Sequence, residues 1–187
     1  MSRLVAEAIG TERLMLLPLQ VEHAEEMAAV LSDPALHAFI GGTPDTLHAL
    51  RSRYQRMTAG SPDPAVSWLN WVIQLRDEDC LTGTVQATVG PSAHGLVAEI
   101  AWMVGTPWQG RGLASEAAQG LVDWLGPQPV HTVIAHIHPE HRASAAVAAA
   151  AGLAPTDIWH DDEIRWQRRI RRYVDDPRPD LPHHREL

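Results

Sequence analysis

The sequence predicts an α/β fold: a mixed, mostly antiparallel sheet of six or seven strands with helices on both faces. Apolar segments of strand length, such as 68–75 and 81–89, are joined by short polar turns, which favours antiparallel pairing. Two segments with helical spacing of apolar residues, 24–31 and 44–59, precede these strands. A glycine-marked turn then joins the strand at 96–104 to a third helix.

The other elements follow in chain order. Strands are predicted at 12–19, 68–75, 81–89, 96–104, 130–138, 153–159 and 164–170, and the later helices at 113–125 and 143–150. Thr43 is expected to cap the second helix, with Pro44 at its first position. We expect one domain over residues 1–174 and a polar, proline-rich tail over 175–187.

Composition narrows the classes of partner. The 187 residues carry a formal net charge of −8, which argues against nucleic acid or an anionic membrane as a partner and favours a cationic substrate. Cys80 is the only cysteine, so no disulfide within the chain is expected. No leader-like or membrane-spanning run of apolar residues stands out, and we therefore expect a cytoplasmic protein.

The segment Gln109-Gly-Arg-Gly-Leu-Ala, at the start of the third helix, has the character of a phosphate-binding loop. The first N–H groups of a helix have no partner inside it, and the helix dipole makes its N-terminus attractive to anions. Gly110 and Gly112 would let the backbone approach a diphosphate closely, and Arg111 adds a positive charge.

Two common nucleotide fingerprints do not fit this segment. A P-loop requires Lys and then Ser or Thr after its last glycine, where Leu113 and Ala114 stand. The dinucleotide pattern requires Gly or Ala where Ser115 stands, and an acidic residue about twenty positions on, but 130–138 contains none. A Rossmann-like nucleotide binder is therefore the weaker alternative.

The pattern Gln/Arg-x-x-Gly-x-Gly/Ala, written here as Gln109, Gly112 and Ala114, resembles the phosphate loop of the GCN5-related N-acetyltransferase (GNAT) superfamily. The flanks agree with its RimJ/RimL-like branch: Thr11-Glu-Arg-Leu resembles the first strand, and His138-Pro-Glu-His-Arg-Ala-Ser resembles a later "N-x-x-S" segment. The similarity covers roughly residues 11 to 160.

The resemblance implies an enzyme that transfers an acetyl group from acetyl-CoA to a primary amine by direct attack in a ternary complex. Glu99 lies ten positions before Gln109, on the strand that the family places beside the thioester, and is the candidate general base. The alternative is that Glu99 is a solvated strand residue or only lines the substrate pocket. The acceptor is a protein N-terminus or a small-molecule amine, and a homodimer is allowed for.

Further site residues also come from the resemblance. The family's coenzyme contacts map to Met103 and Val104 at the end of a strand, to Gln109, Gly110, Arg111, Gly112, Leu113 and Ala114 in the loop, and to His141 and Ser144 in the later segment. Many family members have a tyrosine as general acid where this chain has Ala148. Ser144 is the substitute candidate, followed by His141 and His138, unless Ser144 only caps the helix or contacts the coenzyme.

Two alternatives remain open. His136, His138 and His141 form H-x-H-x-x-H, which could bind zinc or only make the surface or cleft polar; no cysteine is near, and we expect no metal. The missing tyrosine, together with His141 in place of the usual asparagine, also leaves open a non-catalytic module that binds acyl-CoA as a sensor or scaffold.

Overall fold

A computed structural model describes residues 3–170, which form one eight-stranded sheet with helices on both faces. The strands are β1 (Ile9–Gly10), β2 (Leu14–Pro18), β3 (Ser67–Leu75), β4 (Cys80–Ser92), β5 (Gly95–Val104), β6 (Val130–Ile137), β7 (Ala154–His160) and β8 (Glu163–Arg169). The helices are α1 (Ala24–Val30), α2 (Leu47–Ala59), α3 (Leu113–Leu125) and α4 (Arg142–Ala150). The predicted tail at 175–187 lies outside the described residues.

The sheet order is β1-β2-β3-β4-β5-β6-β8-β7. Every neighbouring pair is antiparallel except β5 and β6, which are parallel. The predicted mixed, mostly antiparallel sheet is therefore confirmed. The strand beyond the predicted six or seven is β1, whose two residues pair with Leu16 and Met15. Two residues are too few to show an alternating pattern in the sequence.

Two apolar clusters occupy opposite faces of the sheet. On one face, α3 and α4 pack against alternate sheet residues such as Trp71, Val85 and Ile100. On the other, α1 and α2 pack over a smaller cluster that includes Met27 and Val72. Because side chains alternate along a strand, Thr84 and Gln86 of β4 share the second face with α1 and α2.

Two local predictions were wrong. Thr46, not Thr43, caps α2, and its hydroxyl accepts a hydrogen bond from the N–H of Ala49. The strand predicted at 81–89 was expected to end at Val89, but Gly90 pairs with Val97, so β4 and β5 extend to a tight turn. In both cases a second turn-forming signal lies within a few residues of the first, and only the tertiary pairing selects between them.

The described residues also bear on membrane insertion. No helix within 3–170 combines the length and the apolar character that crossing a bilayer requires.

Candidate active site

The two parallel strands at the centre of the sheet separate before they end. Pairing between β5 and β6 begins at Leu96 and Val130 and ends at Glu99 and Ile134, although β5 continues to Val104 and β6 to Ile137. The residues of β5 after Glu99 therefore do not pair with β6. This gap leaves main-chain groups at the end of β5 available to a ligand.

A polar cluster lies beside this gap, on the sheet face that carries α1 and α2. The carboxylate of Glu99 is half-exposed, and its Oε1 lies 2.7 Å from Nδ1 of the largely buried His136 on β6. The other ring nitrogen of His136 lies 3.5 Å from Nε of Arg165, which is opposite it on β8. The cluster therefore holds an accessible carboxylate in a defined orientation.

The loop before α3 presents unpaired main-chain donors. Gly110 and Gly112 both have φ of 75°, a left-handed conformation that favours glycine. No side chain caps Gly112, and within residues 3–170 no hydrogen bond is made by the N–H groups of Gly110 or of 112–115. An ideal Cβ at Gly110 would meet no atom within 4 Å. The loop is thus an open cradle of donors at a helix N-terminus.

Charged side chains hold this loop from the outside. Arg13 donates from Nη1 to the main-chain oxygen of Arg111 at 2.8 Å, and its Nε lies 3.3 Å from the carboxylate of Glu116 in the first turn of α3. Arg111 itself points to Glu78, with 3.0 Å between Nη2 and Oε1. Gln109 donates to the main-chain oxygen of Val104 at 3.0 Å, which connects the loop to the end of β5.

Met103, at the end of β5, is held by close backbone packing. An ideal Cβ placed on Gly83 of β4 would lie 2.2 Å from the main-chain oxygen of Met103, so only glycine fits opposite it. The N–H of Gly105 donates to the main-chain oxygen of Thr82 at 2.8 Å. These contacts fix the position of the strand end that follows the gap.

The histidine at the start of α4 acts as a helix cap. Nδ1 of His141 accepts a hydrogen bond from the N–H of Ser144 at 3.3 Å, and its ring stacks on Phe39 with centroids 4.3 Å apart. Burial, and to a lesser extent the neighbouring His138, lowers the pKa of His141 below its ordinary value. A neutral ring is what an accepting Nδ1 requires. Ala148 is fully buried and offers no proton donor.

The three histidines of the H-x-H-x-x-H pattern have separate contacts. His136 bonds Glu99, whereas His138 and His141 both lie against Phe39. Within the described part of the chain, no group of three or more His, Cys, Asp or Glu side chains is arranged to hold a metal ion.

A cavity of about 230 Å³ lies between the α1–α2 face and the sheet. Ala101 and Met103, which share their sheet face with Glu99, form part of its lining, together with Thr84 and Gln86 of β4. Most of the remaining lining is apolar. The face of β4 that carries Thr84 and Gln86 therefore forms the floor of this cavity.

Tyr54 of α2 is buried and lines the same cavity. Its hydroxyl is the one buried side-chain polar atom within residues 3–170 that has no hydrogen-bond partner. Burial raises the pKa of Tyr54 to about 12, so the hydroxyl stays protonated at neutral pH. Buried hydroxyls are usually satisfied, which indicates that a ligand or water would complete this one.

The sequence matches a family model described as an acetyltransferase (GNAT) domain over residues 13–154. This match spans well over half of the chain. The protein belongs to the GNAT acetyltransferase family. Membership makes it an acyltransferase enzyme, and the family resemblance inferred from the residues is confirmed.

Individual GNAT relatives agree with this assignment. An uncharacterized N-acetyltransferase, p20, from Bacillus licheniformis is 26% identical over 170 residues, covering 90% of this chain and 94% of the relative. A GNAT-family acetyltransferase structure from Bacillus anthracis has a TM-score of 0.72 at 21% identity, covering 88% of this chain and 99% of that one. RimL, a ribosomal alpha-N-protein acetyltransferase solved with coenzyme A, has a TM-score of 0.68 at 13% identity, covering 87% and 98%. At these identities the two structures show the shared fold.

Sequence reasoning missed three residues of this candidate site. Arg13 holds the loop from 98 positions away; it lies in the Thr11-Glu-Arg-Leu segment, which was assigned only to the first strand. His136 was considered as a metal ligand or as a polar residue of the surface or cleft, but its partner is Glu99, and that pairing depends on the register of β5 against β6. Tyr54 looked like an ordinary apolar helix position. Burial without a partner, which the sequence does not show, is what distinguishes it.

Proposed function

We propose that this chain transfers the acetyl group of acetyl-CoA to a primary amine by direct attack in a ternary complex, with Glu99 as the general base. The observation that carries the proposal is the position of the Glu99 carboxylate. It stands on β5 at the last residue that pairs with β6, half-exposed and oriented by His136. An amine bound in the neighbouring cavity and a thioester at the strand gap would both lie on its side of the sheet.

The residues that would hold the coenzyme fit its chemistry. The N–H groups of Gly110 and of 112–115 have no partner among the described residues, and they suit a diphosphate. Arg111 would add charge if it turned from Glu78, and Gln109 would keep the loop attached to Val104. The main chain of Met103 and Val104, beyond the last pairing with β6, would bond the pantetheine arm. Leu113 and Ala114 contribute through their main chain.

Acetyl-CoA supplies a thioester, whose carbonyl carbon bonds to the amine nitrogen while the carbon–sulfur bond breaks. Amines are largely protonated at neutral pH, so the nitrogen must lose one proton before it attacks, which the Glu99 carboxylate accepts directly or through water. A second proton leaves the nitrogen as the amide forms, and it balances the proton that the departing sulfur takes up to become the free thiol of coenzyme A. Ser144 is the candidate donor to the departing sulfur. Its main-chain N–H is used by His141, and its hydroxyl makes no hydrogen bond to the described residues.

A covalent enzyme intermediate is not part of this proposal. Cys80 is the only thiol, and burial, with Glu78 next in importance, raises its pKa. A raised pKa keeps the sulfur as the less nucleophilic thiol at neutral pH. The amine therefore attacks the thioester itself.

The test is release of free thiol from acetyl-CoA in the presence of a panel of primary amines. We expect turnover by the parent and a fall of about a hundredfold in kcat for Glu99→Gln, the lower end of what a general base contributes. Coenzyme A affinity should be unchanged in that variant. The matched control is Glu22→Gln, an exposed glutamate before α1, which should retain parental kcat.

Two outcomes would contradict the proposal. Full activity in Glu99→Gln would show that Glu99 is not the general base. Tight binding of coenzyme A by the parent, with no turnover on any amine, would instead favour a sensor or scaffold module that binds acyl-CoA without catalysis.

A further inference from the structure

The cavity beneath α1 and α2 is small and largely apolar. At about 230 Å³ it lies below the roughly 300–1,000 Å³ typical of sites for drug-sized ligands. Its apolar lining includes Leu19, Leu31, Leu50, Met57 and Met103. Such a lining favours a compact, apolar ligand body.

The charges in the lining compensate one another. Asp45 is the only carboxylate among the lining residues, and its Oδ2 lies 3.3 Å from Nη1 of Arg53, the only guanidinium there. The ring of His37, which also lines the cavity, lies 3.1 Å from the main-chain oxygen of Gly41. Because Asp45 is already paired with Arg53, the lining has no unpaired carboxylate that could bind a second ammonium group. Burying an ammonium without a partner is costly, so a second cation is disfavoured.

The groups around the cavity can bind one amine group. Glu99 shares a sheet face with the lining residues Ala101 and Met103 and presents its half-exposed carboxylate on that side. The Tyr54 hydroxyl, which lines the cavity, has no hydrogen-bond partner among the described residues. The site can therefore satisfy one nitrogen near β5 and one hydrogen bond at α2.

We infer that the acceptor is a primary monoamine on a compact apolar body, contacted by Tyr54, and that polyamines are poor acceptors. This inference rests on the proposed function, because it assigns the cavity to the acceptor. A small free amine and the N-terminus of a peptide that begins with an apolar residue both present a primary amine on an apolar body. A leucine-initiated tripeptide compared with 3-methylbutylamine tells these two sources apart.

The test compares pentylamine with 1,5-diaminopentane, which differ only in the second amine. Binding is measured by calorimetry with coenzyme A present, at about 0.15 M salt, where the attraction of the net negative surface is screened beyond about 8 Å. We expect pentylamine to bind the parent at least tenfold more tightly. Equal or tighter binding of the diamine would overturn the inference.

Variants sharpen this comparison. Gln86→Glu adds a carboxylate to the cavity floor at almost unchanged volume, and should reduce the preference for pentylamine at least fivefold. Gln55→Glu makes the same charge change on the exposed surface of α2 and should leave the preference unchanged. If Gln55→Glu reduced the preference as much as Gln86→Glu, the overall charge and not the cavity would select the amine.

Tyr54→Phe removes only the unpartnered hydroxyl. It should weaken pentylamine binding at least threefold, and unchanged binding would overturn the assigned contact. Thiol release measured on the same samples separates this inference from the proposed function. A parent that prefers pentylamine in binding but turns over no amine contradicts the proposed function alone. A parent that turns over the diamine better contradicts the monoamine inference alone.

Discussion

Glu99 Oε1 and His136 Nδ1 lie 2.7 Å apart, at the point where β5 and β6 stop pairing. The bond crosses from the strand that carries the candidate base to its parallel neighbour. Arg165, 3.5 Å from the far ring nitrogen, supports the ring from the other side. We therefore regard His136 as a positioning residue that fixes the direction of the Glu99 carboxylate.

Replacing His136 should lower kcat while leaving the acceptor KM nearly unchanged. A hydrogen bond to a charged group is worth about 1.5–3 kcal/mol, so His136→Asn should reduce kcat about tenfold or more. Initial rates of thiol release for His136→Asn, Glu99→Gln and the double variant form the test. The double variant should be no slower than Glu99→Gln, because the histidine acts through the glutamate.

The control is His160→Asn. The His160 ring lies 5.2 Å from that of His136 but does not bond Glu99, so parental kcat is expected. If the reduction in kcat of the double variant equalled the product of the two single reductions, His136 would act independently of Glu99.

Gly83 should be intolerant of even one added carbon. An ideal Cβ there meets the main-chain oxygen of Met103 at 2.2 Å, so Gly83→Ala must displace the end of β5. Overpacking of this kind costs about 1–3 kcal/mol, which urea unfolding would measure as a lower midpoint. Gly90→Ala on the same strand is the control, because its added Cβ would lie at an ordinary 3.5 Å from Val66. Equal midpoints for the two variants would contradict the close packing.

The His141 cap should make stability depend on pH. The lowered pKa of His141 means that the folded state favours the neutral ring. This stabilisation is present above the ordinary histidine pKa of about 6.5 and is lost as the pH falls through the lowered pKa. Acidification from about pH 7 to pH 5 should therefore lower the thermal midpoint of the parent more than that of His141→Asn, which caps without titrating.

The exposed His48 provides the comparison for this effect. His48→Asn should retain the pH response of the parent. If His141→Asn shows the parental response too, the cap does not titrate in this range.

Much of the fold could be predicted from the sequence because its signals are local. Alternation along 81–89 and helical spacing along 113–125 each record which face is buried, and the structure buries those faces. Thr46 was missed because Thr43-Pro44 gives an equally good local helix start. Only the packing of α2 against the sheet distinguishes the two.

The site was harder to predict than the fold. The loop conformation at Gly110 and Gly112 could be predicted from the glycines themselves, since both adopt a positive φ that other residues avoid. The bonds Glu99–His136 and Arg13–Arg111 join residues that are distant in the chain. They depend on strand register and helix placement, which no short motif encodes.

The most direct test of the account is the affinity of the loop for coenzyme A. Gly110 and Gly41 both have φ of 75° with no atom within 4 Å of an ideal Cβ, so Gly110→Glu and Gly41→Glu carry matched strain and charge. Calorimetry should show coenzyme A binding weakened at least tenfold by Gly110→Glu and within twofold of the parent in Gly41→Glu. Parental affinity in Gly110→Glu would contradict the claim that the main chain at 110–115 binds the diphosphate.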